Sequence, residues 1–178
     1  QAEAAGAALP AELRLYTAGA VAFAQSDMAL AAEYFRRVLA LPATERARRS
    51  TWAAYSLGRA LAVLAVSAPE QALSDDAAMQ RQRELRQQAR AAFQQARELS
   101  IAGLDDPLDL GVASLGEEAR LALDEGDWNS AITLYASQAS QASPTGYSSL
   151  RQLTWTLARM DDEQLRRFRS RLKDPVRQ

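Results

Sequence analysis

Proline divides this chain into rods. The six prolines stand at positions 10, 42, 69, 107, 144 and 175, each between apolar-periodic stretches or just inside the start of one. Proline disrupts a helix interior but suits a helix's first turn. Between the prolines, apolar residues recur at helical spacing, and β-branched residues never cluster in the alternation a strand needs. Hydrophobic residues make up 48% of the chain but aromatics only 7%, so alanine supplies much of the core. Alanine is the best helix former and lets helices approach closely. The expected fold class is all-α, with about eight helices.

The punctuation places them. Helices are expected over about Ala11 to Gln25, from a cap at Asp27 to before Pro42, and from about Thr44 to Val66. The next begins after Ser74, with Asp75 and Asp76 at its positive end, and stops near Ser100, where Gly103 can end it. Another starts at Asp106–Pro107 and ends near Glu125. Gly126 then breaks the chain, and Asp127 caps a helix reaching about Ala142. Ser143–Pro144 repeats the cap-plus-proline device, and Asp161 with Gln164 has capping-box spacing for a last helix ending before Pro175. Links this short make consecutive helices antiparallel hairpins.

Three of the helices carry one pattern. Ala31, Phe35 and Val38, then Ala89, Phe93 and Ala96, then Ala131, Tyr135 and Gln138 stand at i, i+4 and i+7, one face of a helix. The helices before them carry Gly19, Gly58 and Ala119. Each glycine costs about 1 kcal/mol relative to alanine, which a helix tolerates where a neighbour must come close. Ala18–Gly19, Ser26–Asp27, Ala31, Phe35, Val38 and Pro42 resemble the tetratricopeptide repeat (TPR). Leu57–Gly58 with Ala89, Phe93, Ala96 and Leu99 is similar to a second copy. Ala119, Gly126–Asp127–Trp128, Ala131, Ile132 and Tyr135 are similar to a third. The resemblance implies one TPR-like domain over residues 1–178, a right-handed solenoid of α-α hairpins. Its repeats would cover about 13–42, 51–100 and 112–142, with a degenerate or capping hairpin over 145–173. The small residue precedes the helix-B alanine by 12 positions in copies one and three but by 31 in copy two. Nineteen extra residues therefore fall near 67–86, either a solvated extension or an element for a partner or for self-association. The signature tryptophan of helix A is not cleanly present and Gln138 replaces a small apolar residue, so a looser Sel1-like stack is the alternative.

The residues argue against chemistry of the chain's own. Cysteine and histidine are both absent, which removes disulfides, thiolate ligands and the commonest general base. Ser114 lies outside any nucleophile elbow. Glu117 and Glu118 point about 100° apart on a helix, so they form no facing acid/base pair. Asp124, Glu125 and Asp127 read as a helix end and the next cap. No catalytic residue, metal or cofactor is expected. A net charge of −1 argues against a nucleic-acid partner, and no apolar run nears the ~18 residues of a membrane span. Starting at Gln1, the chain reads as a mature form or a fragment.

The resemblance implies a protein or peptide partner held on the concave face by the first helix of each hairpin. The positions carried over are Tyr16, Ala20 and Phe23, then Trp52, Tyr55 and Arg59, then Gly116, Arg120 and Leu123, with Arg151 and Trp155 extending the side. The site residues named are Tyr16, Phe23, Trp52, Tyr55, Arg59, Arg120 and Arg151. Two readings stand beside it: Tyr16, Phe23 and Trp52 as ordinary packing, and Arg59 and Arg120 as ion pairs within the stack. Glu45, Arg46, Arg48 and Arg49 read as a solvated first turn. The basic residues from Arg166 to Arg177 read as the polar face of a capping helix. The expected function is that of a non-catalytic scaffold or adaptor. Alternatives are a self-associating assembly module forming a homo-oligomer, or the helical accessory domain of a larger envelope protein or enzyme. The resemblance implies a bacterial origin, since Ala/Arg-rich, Lys-poor proteins of this type are common in high-GC bacteria; the expected location is the cell envelope or periplasm, with the cytoplasm as the alternative.

Overall fold

Caps decide where these helices begin, and some of those caps act across a distance. A computed structural model of the protein describes residues 9–67, 75–142 and 144–171. Among them are eight α-helices and no strand: α1 (Ala11–Ala24), α2 (Met28–Leu39), α3 (Ser50–Ser67), α4 (Asp75–Ile101), α5 (Leu110–Asp124), α6 (Trp128–Ser140), α7 (Pro144–Ala158) and α8 (Asp162–Arg171). The protein is all-α, as its sequence indicates. None of the described helices is long and apolar enough to cross a membrane.

Two starts differ from expectation. α3 begins at Ser50 rather than near Thr44, because Ala43–Glu45 forms a 3-10 turn. Behind it, Arg46 Nε donates to Leu41 O at 2.9 Å and Ser50 Oγ donates to Arg46 O at 2.6 Å. The Glu12 carboxylate, reaching over from α1, accepts from Arg49 N just before the helix. α5 begins at Leu110 rather than at Pro107. Asp106 is still its cap, but its carboxylate accepts from Leu110 N (2.8 Å) and Gly111 N (2.9 Å), several residues on.

Other ends follow the sequence closely. Gly103 N–H donates to Ser100 O and Leu104 N–H to Leu99 O, with Gly103 at φ 83, the paired bonds of a glycine-terminated helix. α1 and α5 end alike: Asp27 N–H donates to Ala22 O (2.9 Å) and Asp127 N–H to Ala122 O (2.8 Å). Ser26 (φ 62) and Gly126 (φ 74) make the left-handed step between them. Each aspartate then caps the next helix, accepting from Leu30 N (3.1 Å) or Ser130 N (3.2 Å). At α8, Gln164 N–H donates to Asp161 Oδ1 (2.8 Å) and Asp161 N–H to Gln164 Oε1 (3.1 Å), the reciprocal capping box. Pro144 is the first residue of α7, whereas Ser143, Pro175 and the basic positions beyond Arg171 lie outside the described residues.

The chain divides into two compact units, Gln1–Ser114 and Leu115–Gln178, with the division inside α5. In the first, α1 packs on α2, α2 on α3 and α3 on α4. Phe35 and Phe93 are fully buried there among Ala31, Val38, Ala89 and Ala96. Each ring lies in the gap a glycine leaves. A Cβ on Gly19 would come within 2.7 Å of the Phe35 ring, and one on Gly58 within 2.5 Å of Phe93. A tyrosine three residues before each glycine closes the other side: Tyr16 is 5.7 Å from Phe35 and Tyr55 is 6.1 Å from Phe93 between ring centroids. The extra residues of the second hairpin lengthen its helices. α3 and α4 have 18 and 27 residues where α1 and α2 have 14 and 12. Of the stretch 67–86, residues 68–74 lie outside the described residues; Leu85 is buried and Met79 is exposed.

In the second unit α6 packs on α7 and α8. Ala119, Tyr135 and Leu153 form its core, with Trp128, Ile132 and Leu150 against them. Here the large side chain has moved from the first helix to the second. Gly116 stands where the other hairpins have Tyr16 and Tyr55, and its missing Cβ would meet the Gln138 amide at 2.7 Å. The close backbone approach is at Gly146, where a Cβ would lie 2.7 Å from Ala139 Cα and from Gln138 O.

Candidate functional site

The first unit gathers five of the seven named site residues on one side, between α1 and α3. The i, i+7 spacing puts Tyr16 and Phe23 on one flank of α1, and the i, i+3, i+7 spacing does the same for Trp52, Tyr55 and Arg59 on α3. Tyr16 meets Trp52 edge-on, with ring centroids 6.0 Å apart and planes at 85°. Further along, the Arg59 guanidinium lies 5.1 Å from the Phe23 ring centroid and 5.9 Å from that of Tyr55. The rings are half-buried and Arg59 is exposed, while Ala20 sits half-buried beside them.

The same face has a member that the sequence reading placed in a solvated turn. The Arg49 guanidinium lies 4.5 Å from the Trp52 ring centroid and 5.8 Å from that of Tyr16. Arg46 is also half-buried, in the cap of α3, whereas Glu45 and Arg48 are exposed as expected. The missed signal was Glu12. It is an acid in step with Leu15, Gly19 and Ala22, on the apolar face of α1, and it is buried. Its carboxylate fixes the backbone of Arg49 and so aims that side chain. Burial pushes the Tyr16 phenol above its ordinary value, with a Ser56 hydrogen bond and the Arg49 charge pulling the other way. Trp52 Nε1 and Thr51 Oγ1 are buried with no hydrogen-bond partner among the described residues.

The other two named residues belong to the second unit. Arg120 is exposed and pairs with Glu117 at 2.8 Å, one turn back on α5. Arg151 is exposed on α7. Leu123 packs against the Ala119–Tyr135–Leu153 core. Gly116 is covered by the Gln138 amide. Gln138 is itself buried; its Nε2 donates to Thr145 Oγ1 at 3.1 Å and its Oε1 has no partner among the described residues. Burial raises the Tyr135 phenol too, opposed by Arg120 and aided by Glu117 and Asp124.

Ser114, on the first-unit side of the division, is buried and engaged: its Oγ donates to Gly111 O (2.7 Å) and accepts from Arg97 (3.1 Å). Among the described residues, no group of acidic side chains is arranged to hold a metal ion. On α8, Arg167 pairs with Glu163, and Arg166 and Arg169 are exposed. Compared with protein-family models, with curated proteins and with solved structures, the chain matches none.

Proposed function

We propose that this chain is a non-catalytic interaction module built of TPR-like hairpins, and that it holds a peptide or protein segment on the α1–α3 face of its first unit. The observation that carries the reading is the Arg59 guanidinium lying over both Phe23 and Tyr55, from two different helices. A guanidinium held over two rings has its stem fixed in one geometry before a ligand arrives. Aromatic rings already locked by packing lose little conformational entropy when a ligand covers them, and tyrosine, tryptophan and arginine carry most binding energy at protein interfaces.

The test is selection from a displayed library of random twelve-residue peptides. A class of the peptides captured by the wild-type chain should bind at least tenfold more weakly to an R49E/R59E variant. That class should bind undiminished when exposed Gln94, on α4, is changed to alanine. Equal binding of every captured peptide to the R49E/R59E variant, with its thermal unfolding unchanged, rejects the α1–α3 face as the site.

A further inference from the structure

α7, in the second unit, carries a stripe of exposed aromatic and arginine side chains. Tyr147, Arg151, Trp155 and Arg159 follow one another at intervals of four, so they form one stripe along α7 and its end. Tyr147 is 63% and Trp155 60% exposed. The Arg159 guanidinium lies 6.0 Å from the Trp155 ring centroid. Neither Arg151 nor Arg159 makes an ion pair among the described residues. An open groove of about 440 Å³ runs along the stripe, lined by Ser148, Arg151, Gln152, Trp155, Thr156 and Arg159. Exposed aromatic and arginine side chains in such a groove are the usual anchors of a protein contact.

Charge selects the occupant. No carboxylate occurs between Asp127 and Asp161. The two guanidiniums therefore face nothing of opposite sign on α7, or on α6 against which it packs. A second copy laid antiparallel along α7 would bring only α7 side chains against the two guanidiniums, and α7 carries no carboxylate to pair with them. A polynucleotide carries charge at every residue and would meet Asp161, Asp162 and Glu163 just past the stripe. A short acidic segment avoids both conflicts.

We infer that the α7 stripe docks an acidic protein segment in which two carboxylates bracket an apolar side chain. The carboxylates pair with Arg151 and Arg159, and the apolar side chain lies on Trp155 between them. Eight helical residues separate the arginines by about 12 Å along the axis. An extended segment advances about 3.3 Å per residue, so its carboxylates stand about four residues apart.

The same random-peptide library tests this, with W155A and R151Q chains as counter-selection and thermal unfolding as the check that both remain folded. Peptides enriched on the wild-type chain and depleted by both variants should carry two acidic positions about four apart around an apolar one. They should bind each variant at least tenfold more weakly, and the R49E/R59E chain as tightly as the wild type. The proposal is overturned if no peptide is enriched over the W155A chain, or if the enriched peptides lack acidic residues. It is equally overturned if W155A abolishes binding of a dT12 oligonucleotide that the acidic peptides cannot displace, or abolishes a dimer seen in sedimentation velocity.

Discussion

At the scale of single residues, the glycine–phenylalanine pairs govern the first unit. A glycine inside a helix gives up about 1 kcal/mol to alanine, so Gly19 and Gly58 need a reason, and each has a buried ring in the space of its missing side chain. Replacing Gly58 by alanine gains helix propensity but drives a methyl to within 2.5 Å of Phe93, in a site with no room to shift. Overpacking of this kind costs about 1–3 kcal/mol, so Gly58→Ala should be net destabilising. In a Phe93→Leu background the obstacle is gone and the same change should be neutral or stabilising. A double-mutant cycle by urea unfolding measures the difference; a coupling near zero would show that the ring does not fill the gap. The glycine spacing and the aromatic at i+4 were legible in the sequence. What fills the gap was not, because a ring and a backbone make the same demand for a missing Cβ.

At the scale of elements, the turns at 24–27 and 124–127 share their hydrogen bonds and their capping aspartate but differ in one residue. Gly126 takes its left-handed step freely, whereas Ser26 takes it at φ 62 with a side chain. Non-glycine residues pay for that conformation, and the penalty is only partly offset by the entropy a glycine adds to the unfolded chain. Ser26→Gly should therefore stabilise by about 0.5–1 kcal/mol, a rise of roughly 1–4 °C in Tm for a chain of this size. Thermal unfolding by circular dichroism reads it, and an unchanged or lower Tm would contradict the strain. Local devices such as Asp27, Asp127, Gly103 and the Asp161–Gln164 box were readable because each bonds at the spacing its motif prescribes, three residues for the caps and the box and three and five for the glycine stop. The starts of α3 and α5 were not. Glu12 acts on Arg49 from another helix, and Asp106 reaches past Pro107 and Asp109 to Leu110 and Gly111.

At the scale of the whole molecule, each unit contains a phenol that burial holds in its neutral form, Tyr16 in the first and Tyr135 in the second. An unfolded chain releases these protons near the ordinary value of about 10. Above that pH the folded chain binds more protons than the unfolded one, so stability falls as pH rises. The stabilising contribution is complete below pH 10 and is lost as pH climbs through the raised folded values. Urea unfolding between pH 9 and 11 should show this decline, and Tyr16→Phe with Tyr135→Phe should flatten it. An equally steep decline in the double variant would place the titration elsewhere.

Helix number, most boundaries and the shared small–aromatic face follow from residues close in sequence, because caps, prolines and helical periodicity act within a turn or two. Which side chains meet across helices was settled only in three dimensions. Arg49 joins Trp52 and Tyr16, Gly116 is filled by Gln138, and Gly146 admits the backbone of α6, because packing depends on the register between helices, which no single helix encodes. The five aromatic and arginine residues of the α1–α3 face could be named only through the resemblance to the TPR, and the stacking that holds Arg49 and Arg59 on those rings is a property of the tertiary structure alone.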